Sequence, residues 1–587
     1  MLTSVQTRAT WGDDMANNAV ANIKKLALKA WAYAHVGLWA LSYRKYDADF
    51  VPKKVSEKFK SARDLVASIP SGAVIGSAYL GAHGRPSLFY LALRDHYAET
   101  KQPQNLTWIN NGAPGGRGVL PGSIDELSEP GLLKCVISGH METMRTLRKQ
   151  ADAGHFELHT MPQGEFAFLI EGQQHGKLTR RTTTGIGTFL DPRVGPGTVV
   201  AGDDAESLIK LVGDELEYRL PAVEIALLTA PWADRDGNIY LHGTSSRTEI
   251  LDMVDAAKAN GGKVYFVVAQ VGKRPPGPIS VPAERVDGIV VNRYHEQIAT
   301  VKQRNHWQMF VEGPENQVPV VPAIERVRAM NEALRASPRR DAVDDAMARL
   351  AAKLFVSLVK LGDWVNIGTG LPEEVSRLMY AYGVGDDVVF SAETGVVGGV
   401  PTAGGFFGAA INPVSQLRSS QLFGMYQKRL RATCLGMLEF DELGNVNSSR
   451  IGPGAEGCIG PGGFTNMVCA ADTIVFIGRW MAKAKFVLDG GQVRIVKPGK
   501  AKLVKRVREI TFNAQQALES GVKVYYVTNV GRFTLTPEGL RLDEIMPGID
   551  LQTDILDVAD AKIIIPPDGP ALVESRVVTG RGFRLSL

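Results

Sequence analysis

Glu393 is the residue of this sequence that is best placed to do chemistry. It follows Asp387–Phe390, an apolar run typical of a buried strand, and it precedes the glycine-rich stretch Gly395–Gly399. A second glycine cluster, Gly404–Gly408, comes soon afterwards, and no second acid, base or metal ligand lies between Glu393 and this cluster. A lone carboxylate that faces glycines at a strand end can act as a nucleophile. The alternative is an acid that caps a turn in a glycine-rich loop.

Several other catalytic devices are excluded by the residues present. All ten histidines lie at or before His306, so a serine–histidine or cysteine–histidine pair cannot be built wholly beside Glu393. His83, in an earlier glycine turn, stays open as a partner, although a lone histidine in a turn is more often solvated. There is no H-E-x-x-H, no Walker A lysine motif and no cysteine spacing for zinc. We therefore expect no metal.

Composition bounds the class of protein. A chain of 587 residues is too long for one core, and about three to four structural units are expected. A net charge of +4 does not suggest a nucleic-acid partner. The basic run Lys497–Arg508 could hold phosphates, but its alternating Val and Leu residues favour the solvated basic face of a strand. Four cysteines without a C-x-x-C pair fit a reducing compartment, so we expect a cytoplasmic protein.

Residues 1–55 form an N-terminal extension. Its first 20 residues are polar and do not resemble a signal peptide. The stretch Leu26–Tyr43 is apolar and aromatic, but Lys29 and His35 interrupt it, which argues against a membrane-spanning helix. We expect it to dock on the body of the protein or on a partner subunit. Contact with a membrane surface is the alternative.

The rest of the chain divides into a first half (residues 56–312), a linker (313–342) and a second half (343–587). Strand-like and helix-like runs alternate, which favours mainly parallel sheets. The predicted strands of the first half are Ser71–Gly76, Val223–Leu228, Lys263–Val268 and Gly288–Val291. The predicted helices are Glu57–Ile69, a helix from Ser87, Asp203–Leu216, Thr248–Asn260 and, in the second half, Asp344–Val359.

An internal echo supports this division. Asp234–Asn238 and Asp441–Asn445 share the pattern D-x-x-G-N, and each follows an apolar run. Gly-Asn pairs suit tight turns between strands. The pattern is short and could be a coincidence, but its matching order in both halves favours two related domains. The predicted fold class is α/β, with two open α/β domains of mainly parallel strands packed together.

A series of segments in both halves gives the sequence a specific resemblance. These segments are Met161–Gly164, Gly185–Arg193, Ala233–Ile239, Val365–Pro372, Ser391–Gly395, Gly457–Asn466, Leu535–Leu540 and Pro547–Leu551. Together, in this order, they resemble the family I coenzyme A transferases, with both subunit-type halves fused in one chain. The similarity is greatest to the enzymes that act on short-chain acyl-CoA with acetate or propionate.

The resemblance implies an activity and its reactants. Glu393 would attack the thioester of an acyl-CoA, and an acyl–glutamyl anhydride and a glutamyl–CoA thioester would follow in a ping-pong mechanism. The reactants would be acyl-CoA and small carboxylic acids, with no cofactor apart from coenzyme A as a substrate. The active site would lie at the seam of the halves. A homo-oligomer is expected, with neither nucleic acid nor membrane as a partner.

The resemblance also suggests donors for the oxyanions that form when a carbonyl is attacked. The loop Gly460–Gly463 corresponds to the family segment with this role, and we expect Gly462 and Gly463 to donate their N–H groups. Gln163 is the expected side-chain donor from the first half. It could equally be an ordinary turn residue after Pro162.

Substrate-binding residues are expected on both sides of the loop that follows Glu393. Gly404 and Gly405 would shape the coenzyme A channel, or would serve only as turn glycines. Phe423–Ala432 departs from the family, where an acidic, glycine-rich stretch is usual, and here it is basic and helical in pattern. We expect Arg429 or Arg431 to pair with a second carboxylate of a larger or dianionic acid.

Two other functions remain open. An acyl-CoA hydrolase would use the same Glu393 intermediate with water as the acceptor. A ligand-binding or assembly module without chemistry is the third possibility, because a fold does not fix a function.

Overall fold

The structure of the protein is a computed structural model. It describes residues 18–80, 84–112, 121–273, 277–295, 307–337, 339–402 and 404–587, with side chains from residue 23 onward. His83, which was left open as a catalytic partner, lies outside the described residues.

The first half is built on a sheet to which nine strands contribute among the described residues. The strands of this half are β1 (Val74–Ser77), β2 (Leu106–Asn110), β3 (Leu133–Ser138), β4 (Glu157–Thr160), β5 (Thr179–Thr182), β6 (Val199–Ala201), β7 (Ile209–Val212), β8 (Glu215–Arg219), β9 (Ile225–Asp234), β10 (Ile239–Tyr240), β11 (Lys263–Gly272) and β12 (Gly288–Val291). The order β12-β11-β9-β1-β2-β3-β4 is parallel throughout, and β6 and β10 are antiparallel additions to β4 and β9.

Helices cover both faces of this sheet. The helices up to the end of the first half are α1 (Asn18–Ser42), α2 (Ala62–Ala67), α3 (Ser87–Thr100), α4 (Arg145–Asp152), α5 (Gln163–Gln173) and α6 (Ile250–Ala259). In β9, Ile225 and Leu227 enter one hydrophobic core while Ala226 and Leu228 enter the other. Successive strand residues point to opposite faces, so burial of both sets shows that neither face is open to water.

The second half has a sheet of ten strands among the described residues. Its strands and those beside it are β13 (Trp364–Ile367), β14 (Val389–Ala392), β15 (Val396–Val397), β16 (Val400–Pro401), β17 (Ala410–Ile411), β18 (Ser415–Gln416), β19 (Leu430–Gly436), β20 (Glu439–Asp441), β21 (Val446–Asn447), β22 (Thr473–Ile477), β23 (Met481–Ala482), β24 (Lys485–Asp489), β25 (Gln492–Lys497), β26 (Lys500–Ala501), β27 (Leu503–Val504), β28 (Lys523–Val527), β29 (Gly531–Thr536), β30 (Gly539–Ile545) and β31 (Ala571–Leu572). The central order β14-β13-β19-β22-β28 is parallel. Antiparallel pairings extend the sheet through β15 and β18 on one side and through β29 and β30 on the other, with β31 parallel to β30 at the edge.

The remaining helices complete the second half and the linker. They are α7 (Val320–Leu334), α8 (Ala342–Leu358), α9 (Glu373–Ala381), α10 (Ser419–Arg429), α11 (Phe464–Ala470), α12 (Ala514–Glu519) and α13 (Ser575–Thr579). The predicted class, α/β with two mainly parallel sheets packed together, is confirmed. The exact domain boundaries at residues 312 and 343 stay a prediction.

Most predicted elements are present, but the helix predicted at Asp203–Leu216 is wrong. The segment forms the hairpin strands β7 and β8. Its apolar residues alternate along the chain, and Leu216 and Tyr218 are buried while their neighbours are more exposed. Gly213, at φ +62°, makes the turn between the strands. The alternation of buried and exposed residues, which is typical of a strand, was therefore a stronger signal than the helical pattern that the prediction used. The helix predicted at Glu57–Ile69 is shorter, because it begins after the N-cap Ser61 as α2.

The two D-x-x-G-N segments form equivalent turns, as the sequence predicted. Asp234 Oδ1 accepts N–H groups from Asp236 at 3.0 Å and from Asn238 at 2.9 Å. Asp441 Oδ1 accepts N–H groups from Leu443 at 3.1 Å and from Asn445 at 3.0 Å. A carboxylate thus holds the same tight turn in each half.

The N-terminal helix α1 docks on the body of the protein, which is one of the two predicted alternatives. Ala32 and His35 are buried, and Trp31 and His35 lie against Trp307 at ring-centroid distances of 6.0 and 5.9 Å. Lys29 pairs with Glu332 of α7 at 2.7 Å. Among the described residues, no helix has both the length and the apolar character needed to cross a membrane.

Candidate active site

A large cavity lies at the seam between the halves. Its volume is about 1130 Å³, which exceeds the roughly 300–1,000 Å³ of ordinary small-molecule pockets. Its walls include Gln163 and His140 from the first half and Glu393 and Gly463 from the second. The expected position of the site between the halves is therefore what the structure shows.

Glu393 follows the last residue of β14, and its side chain enters this cavity. The residue is only 6% exposed. Burial raises the pKa of its carboxyl group to about 7, and among the described residues the only donor that opposes this shift is its own backbone N–H. No described cation pairs with the carboxylate. A carboxylate without a cation keeps its negative charge concentrated, as a nucleophile requires.

Backbone hydrogen bonds hold the residue after Glu393 to the first half. The N–H of Thr248 donates to the carbonyl of Thr394 at 3.1 Å, and the carbonyl of Thr248 accepts from the N–H of Ser419 at 3.1 Å. Thr248 has φ +46°, a left-handed conformation that is uncommon for a β-branched residue. This strained residue links β14 and α10 to α6, so the position of Glu393 depends on both halves.

Gly463 lies directly against the carboxylate. A Cβ atom added to it would lie 2.6 Å from Cγ of Glu393 and 3.2 Å from its Oε1. The same Cβ would lie 3.4 Å from Oε1 of Gln163. The structure thus brings together three predicted site residues, from two halves of the chain. Glycine is required here because any Cβ would collide with the Glu393 side chain.

The N–H group of Gly462, which was predicted to donate to an oxyanion, is already hydrogen-bonded within the protein. Its N–H donates to the carbonyl of Gly139 at 2.8 Å, and its carbonyl accepts from the N–H of Gln163 at 2.9 Å. Both backbone groups are therefore used to join the halves. An N–H group that is already bonded is not free for an oxyanion, so the expectation that Gly462 donates to one is not supported by this geometry.

A hydrogen-bonded chain behind Gln163 was missed by sequence reasoning. The side-chain amide of Gln163 donates to the carbonyl of Asn111 at 3.2 Å, which leaves one amide hydrogen for a ligand. Asn111 Nδ2 donates to the carbonyl of Gln163 at 3.1 Å and to Glu249 Oε1 at 2.6 Å. Burial raises the pKa of Glu249 to about 7. Asn111 follows β2, and polar residues just after parallel strands are the signal that could have revealed it.

A second polar contact crosses the seam beside the first. Asn466 Oδ1 accepts from the N–H of Gly164 at 2.9 Å, and its Nδ2 donates to Glu165 Oε1 at 3.0 Å. Arg180 pairs with the other oxygen of Glu165 at 2.8 Å. A Cβ on Gly164 would lie 2.5 Å from the Asn466 amide. Gly164 of α5 and Asn466 of α11 are thus joined by a hydrogen bond, which holds the two helices against each other.

The other predicted glycines line the cavity or support its wall. Gly404 and Gly405 are lining residues, and the N–H of Gly405 donates to Asn331 Oδ1 at 2.9 Å. Gly460 also lines it, at φ +85°, where a Cβ would lie 2.8 Å from the carbonyl of Gly139. All three positions are at the cavity predicted for them. Their separate roles in binding stay predictions.

Arg429 and Arg431 do not reach the cavity, and this corrects the expected specificity site. Arg429 is exposed at the end of α10, and Arg431 pairs with Asp472 at 2.8 Å on the surface. The segment is helical, as predicted, only as far as Arg429, and it continues as β19 from Leu430. The residues that α10 turns inward include Phe423 and Tyr426. A helix separates its faces, so the apolar residues of α10 pack inward and Arg429 faces water.

Basic residues at the cavity come from other places. Arg339 and Lys483 are exposed lining residues, and Lys502 lines the cavity as well. Burial lowers the pKa of Lys502. Lys502 belongs to the run Lys497–Arg508, for which the sequence predicts the solvated face of a strand. The run breaks into short strands, and this one lysine is turned inward.

The motif Gly185–Arg193 has a structural place at the seam. Phe189 donates its N–H to the carbonyl of Ile510 at 2.8 Å, and Asn513 Nδ2 donates to the carbonyl of Gly187 at 2.9 Å. Hydrogen bonds and charge from Arg193 lower the pKa of Asp191 to about 2. The motif therefore joins the halves at a distance from Glu393.

Comparisons with known proteins agree with this architecture. The sequence model of the family described as Coenzyme A transferase matches residues 59–292. A caffeate CoA-transferase of Acetobacterium woodii is 31% identical over 530 residues, which cover 87% of this chain and 95% of that protein. The acetate CoA-transferase YdiF of Escherichia coli K12 is 28% identical over 523 residues, covering 86% of this chain and 93% of that protein.

A solved structure has the same fold over nearly the whole chain. The acyl-CoA transferase YdiF of Escherichia coli O157:H7, in a thioester complex with CoA, superposes with a TM-score of 0.77 at 26% identity. The match covers 91% of this chain and 99% of that one. The two α/β halves, the cavity between them and these similarities together place the protein among the coenzyme A transferases. The chain belongs to family I of these enzymes, and it is a CoA-transferase.

We predict that activity rises with pH through the titration of Glu393. Its pKa of about 7 lies above that of an ordinary glutamate because of burial, and only the ionised form can attack a carbonyl. kcat/KM should therefore climb about tenfold per pH unit below pH 7 and level off above it. The measurement is a pH–rate profile at saturating and at low acyl-CoA.

Glu249 offers a matched control, because burial raises its pKa to about 7 as well. Glu249→Gln should lower the rate by disturbing Asn111 and Gln163 but should keep the inflection near pH 7. Loss of the inflection in Glu249→Gln would assign the titration to Glu249 instead.

We predict that Gly463→Ala removes most activity without unfolding the enzyme. The new methyl group would lie 2.6 Å from Cγ of Glu393, and a displacement of about 1 Å at a reacting group can cost about 100-fold in rate. Gly462→Ala is the control for strain in the loop: its backbone is left-handed, at φ +53°, so alanine costs stability there, but the nearest atom to its Cβ is Cδ2 of His140 at 3.8 Å and not Glu393. Steady-state rates and thermal unfolding of both variants check this, and equal loss in the two variants would contradict it.

Proposed function

We propose that the protein transfers coenzyme A between an acyl-CoA and a free carboxylic acid through covalent intermediates on Glu393. The observation that carries the proposal is the carboxylate itself. It is buried, it lacks a described cation, and it lies against Gly463 in a cavity that two halves of the chain share. These are the conditions for a carboxylate nucleophile rather than for a structural ion pair.

The first half-reaction loads coenzyme A onto the enzyme. The Glu393 carboxylate attacks the thioester carbonyl of the acyl-CoA, and the carbon–sulfur bond breaks to give an acyl–glutamyl anhydride and the CoA thiolate. The thiolate then attacks the glutamyl carbonyl of the anhydride. The first acid leaves as its carboxylate, and a glutamyl–CoA thioester remains.

The second half-reaction runs these steps in reverse with another acid. Its carboxylate attacks the glutamyl thioester, the thiolate leaves, and a new mixed anhydride forms. The thiolate attacks the acyl carbonyl of this anhydride, which releases the new acyl-CoA and restores Glu393. An anhydride conserves the free energy of the thioester, so the proposal needs neither a metal nor a second cofactor.

The residues around Glu393 support the charged states along this path. Each attack puts negative charge on a carbonyl oxygen, and in this proposal the N–H of Gly463 and the remaining amide hydrogen of Gln163 donate to it. The close approach of Gly463 to Glu393 supports this assignment. Asn111 orients Gln163 for this task. The exposed Arg339 and Lys483 at the cavity provide charge for the phosphates of coenzyme A.

We also propose the reactants, from the lining of the cavity, and the assembly, from the resemblance to the family. Acyl-CoA and small carboxylic acids fit a cavity that combines these cations with a largely apolar wall, in which Leu80 and Phe406 take part. We also propose a homo-oligomer, as the resemblance to the family suggests.

Intact-protein mass spectrometry tests the proposal. Wild type and Glu393→Ala are incubated with acetyl-, propionyl- and succinyl-CoA in the absence of a free acid. A CoA adduct should form on wild type alone, and addition of a carboxylate should discharge it as the corresponding CoA ester. Glu249→Gln, which keeps Glu393, should still form the adduct.

Other outcomes separate the alternatives. Steady release of free CoA without a lasting adduct, independent of added acid, would show a hydrolase. A Glu393→Ala variant that transfers as fast as wild type would contradict the proposed role of Glu393.

A further inference from the structure

Arg85 is a buried cation at the cavity that the proposed mechanism does not use. Arg85 lies in the loop between β1 and α3 and lines the cavity. Only 5% of its surface is exposed. Among the described residues, its Nε and Nη1 atoms have no hydrogen-bond partner, and no acid forms an ion pair with it. A buried guanidinium with free donors is costly unless an anion meets it.

The N-terminal helix holds this guanidinium in place. Arg85 lies beside Tyr43, next to the C-terminal end of α1, and its Cζ is 5.8 Å from the centre of the Tyr43 ring. Tyr43 in turn stacks on His295 at 4.9 Å. His295 Nε2 lies 2.8 Å from the carbonyl of Lys45, which anchors the chain just after the helix. The Tyr43 ring therefore lies against the guanidinium, while Nε and Nη1 have no partner among the described residues.

The surroundings of Arg85 differ from those of the cations proposed for coenzyme A. Arg339 and Lys483 are exposed, as suits groups that meet phosphates near bulk water. Arg85 is buried, and the neighbouring cavity wall is apolar, with Leu80 from the first half and Trp39 from α1. The acyl group is the part of an acyl-CoA that a buried, apolar wall suits best.

We propose that Arg85 is the specificity residue of the enzyme and binds a second carboxylate on the acyl group or on the acceptor acid. This inference rests on the proposed transferase function. The reacting carboxylate must meet Glu393 and the N–H of Gly463, whereas a carboxylate paired with a guanidinium would be a poorer nucleophile. The planar fork of Arg85 suits a carboxylate that stays intact throughout the reaction.

The proposal gives the N-terminal extension a role. α1 supplies Val36 and Trp39 to the cavity wall, and Tyr43, just after the helix, lies against Arg85. The helix thus completes the part of the site that selects the acid. We still expect an arginine to bind the second carboxylate of a dianionic acid. We assign this role to Arg85 in place of Arg429 and Arg431.

The test measures binding, so it does not depend on turnover. Isothermal titration calorimetry is carried out on Glu393→Gln, which removes the charge that would repel an acid, and on the same protein with Arg85→Gln or Arg85→Lys. The ligands are succinate against butyrate and glutarate against valerate, pairs of equal carbon number. Coenzyme A itself is titrated as well, and thermal unfolding verifies that each variant is folded.

The dicarboxylates should bind at least about tenfold more tightly than their partners in Glu393→Gln. Arg85→Gln should abolish that preference while leaving monocarboxylate affinity unchanged, and Arg85→Lys should restore part of it, since a point charge replaces a fork. Arg429→Gln, an exposed arginine outside the cavity, is the matched control and should keep the preference.

Three results would overturn the proposal. They are the absence of any dicarboxylate preference before Arg85 is changed, an equal loss for both classes of acid, and a loss of coenzyme A affinity in Arg85→Gln. The last of these would identify a phosphate as the anion. Failure of the transferase proposal would instead show as a missing adduct on wild type, a result that these titrations do not affect.

Discussion

The desolvated carboxylate of Glu393 is the constraint on which the rest of the site depends. Removing a carboxylate from water without a cation is unfavourable, and its raised pKa is the measure of that cost. The fold must therefore hold the side chain in place by other means. It does so with backbone hydrogen bonds from Thr248 to Thr394 and with the close approach of Gly463.

Those contacts explain why two halves are needed. Glu393 and Gly463 come from the second half, whereas Gln163 and its support Asn111 come from the first. Parallel sheets present the residues after their strands at one edge, and packing two such edges together makes a cavity that neither half encloses alone. The motif segments that do no chemistry, such as Gly185–Arg193, serve to keep this seam closed.

The fold class, and the position of Glu393 at the shared cavity, could be predicted from the sequence because both depend on local patterns and on motif order. The chain Gln163–Asn111–Glu249 could not be predicted, since its members are far apart in sequence and meet only through packing. The role of Arg429 was misjudged for a related reason. Charge is visible in a sequence, but the face of the helix that turns to water depends on which neighbours, here Phe423 and Tyr426, are buried.

Transfer of isotopic oxygen tests the central claim most directly. In the proposed mechanism, a single turnover of preformed glutamyl–CoA enzyme takes the bridging oxygen of the second anhydride from the acceptor acid. That oxygen would stay on Glu393 when the thiolate attacks the acyl carbonyl. An acid labelled with ¹⁸O in its carboxylate should therefore leave one heavy oxygen on the proteolytic peptide that contains Glu393. Formation of the new acyl-CoA with no heavy oxygen in that peptide would contradict covalent catalysis by Glu393.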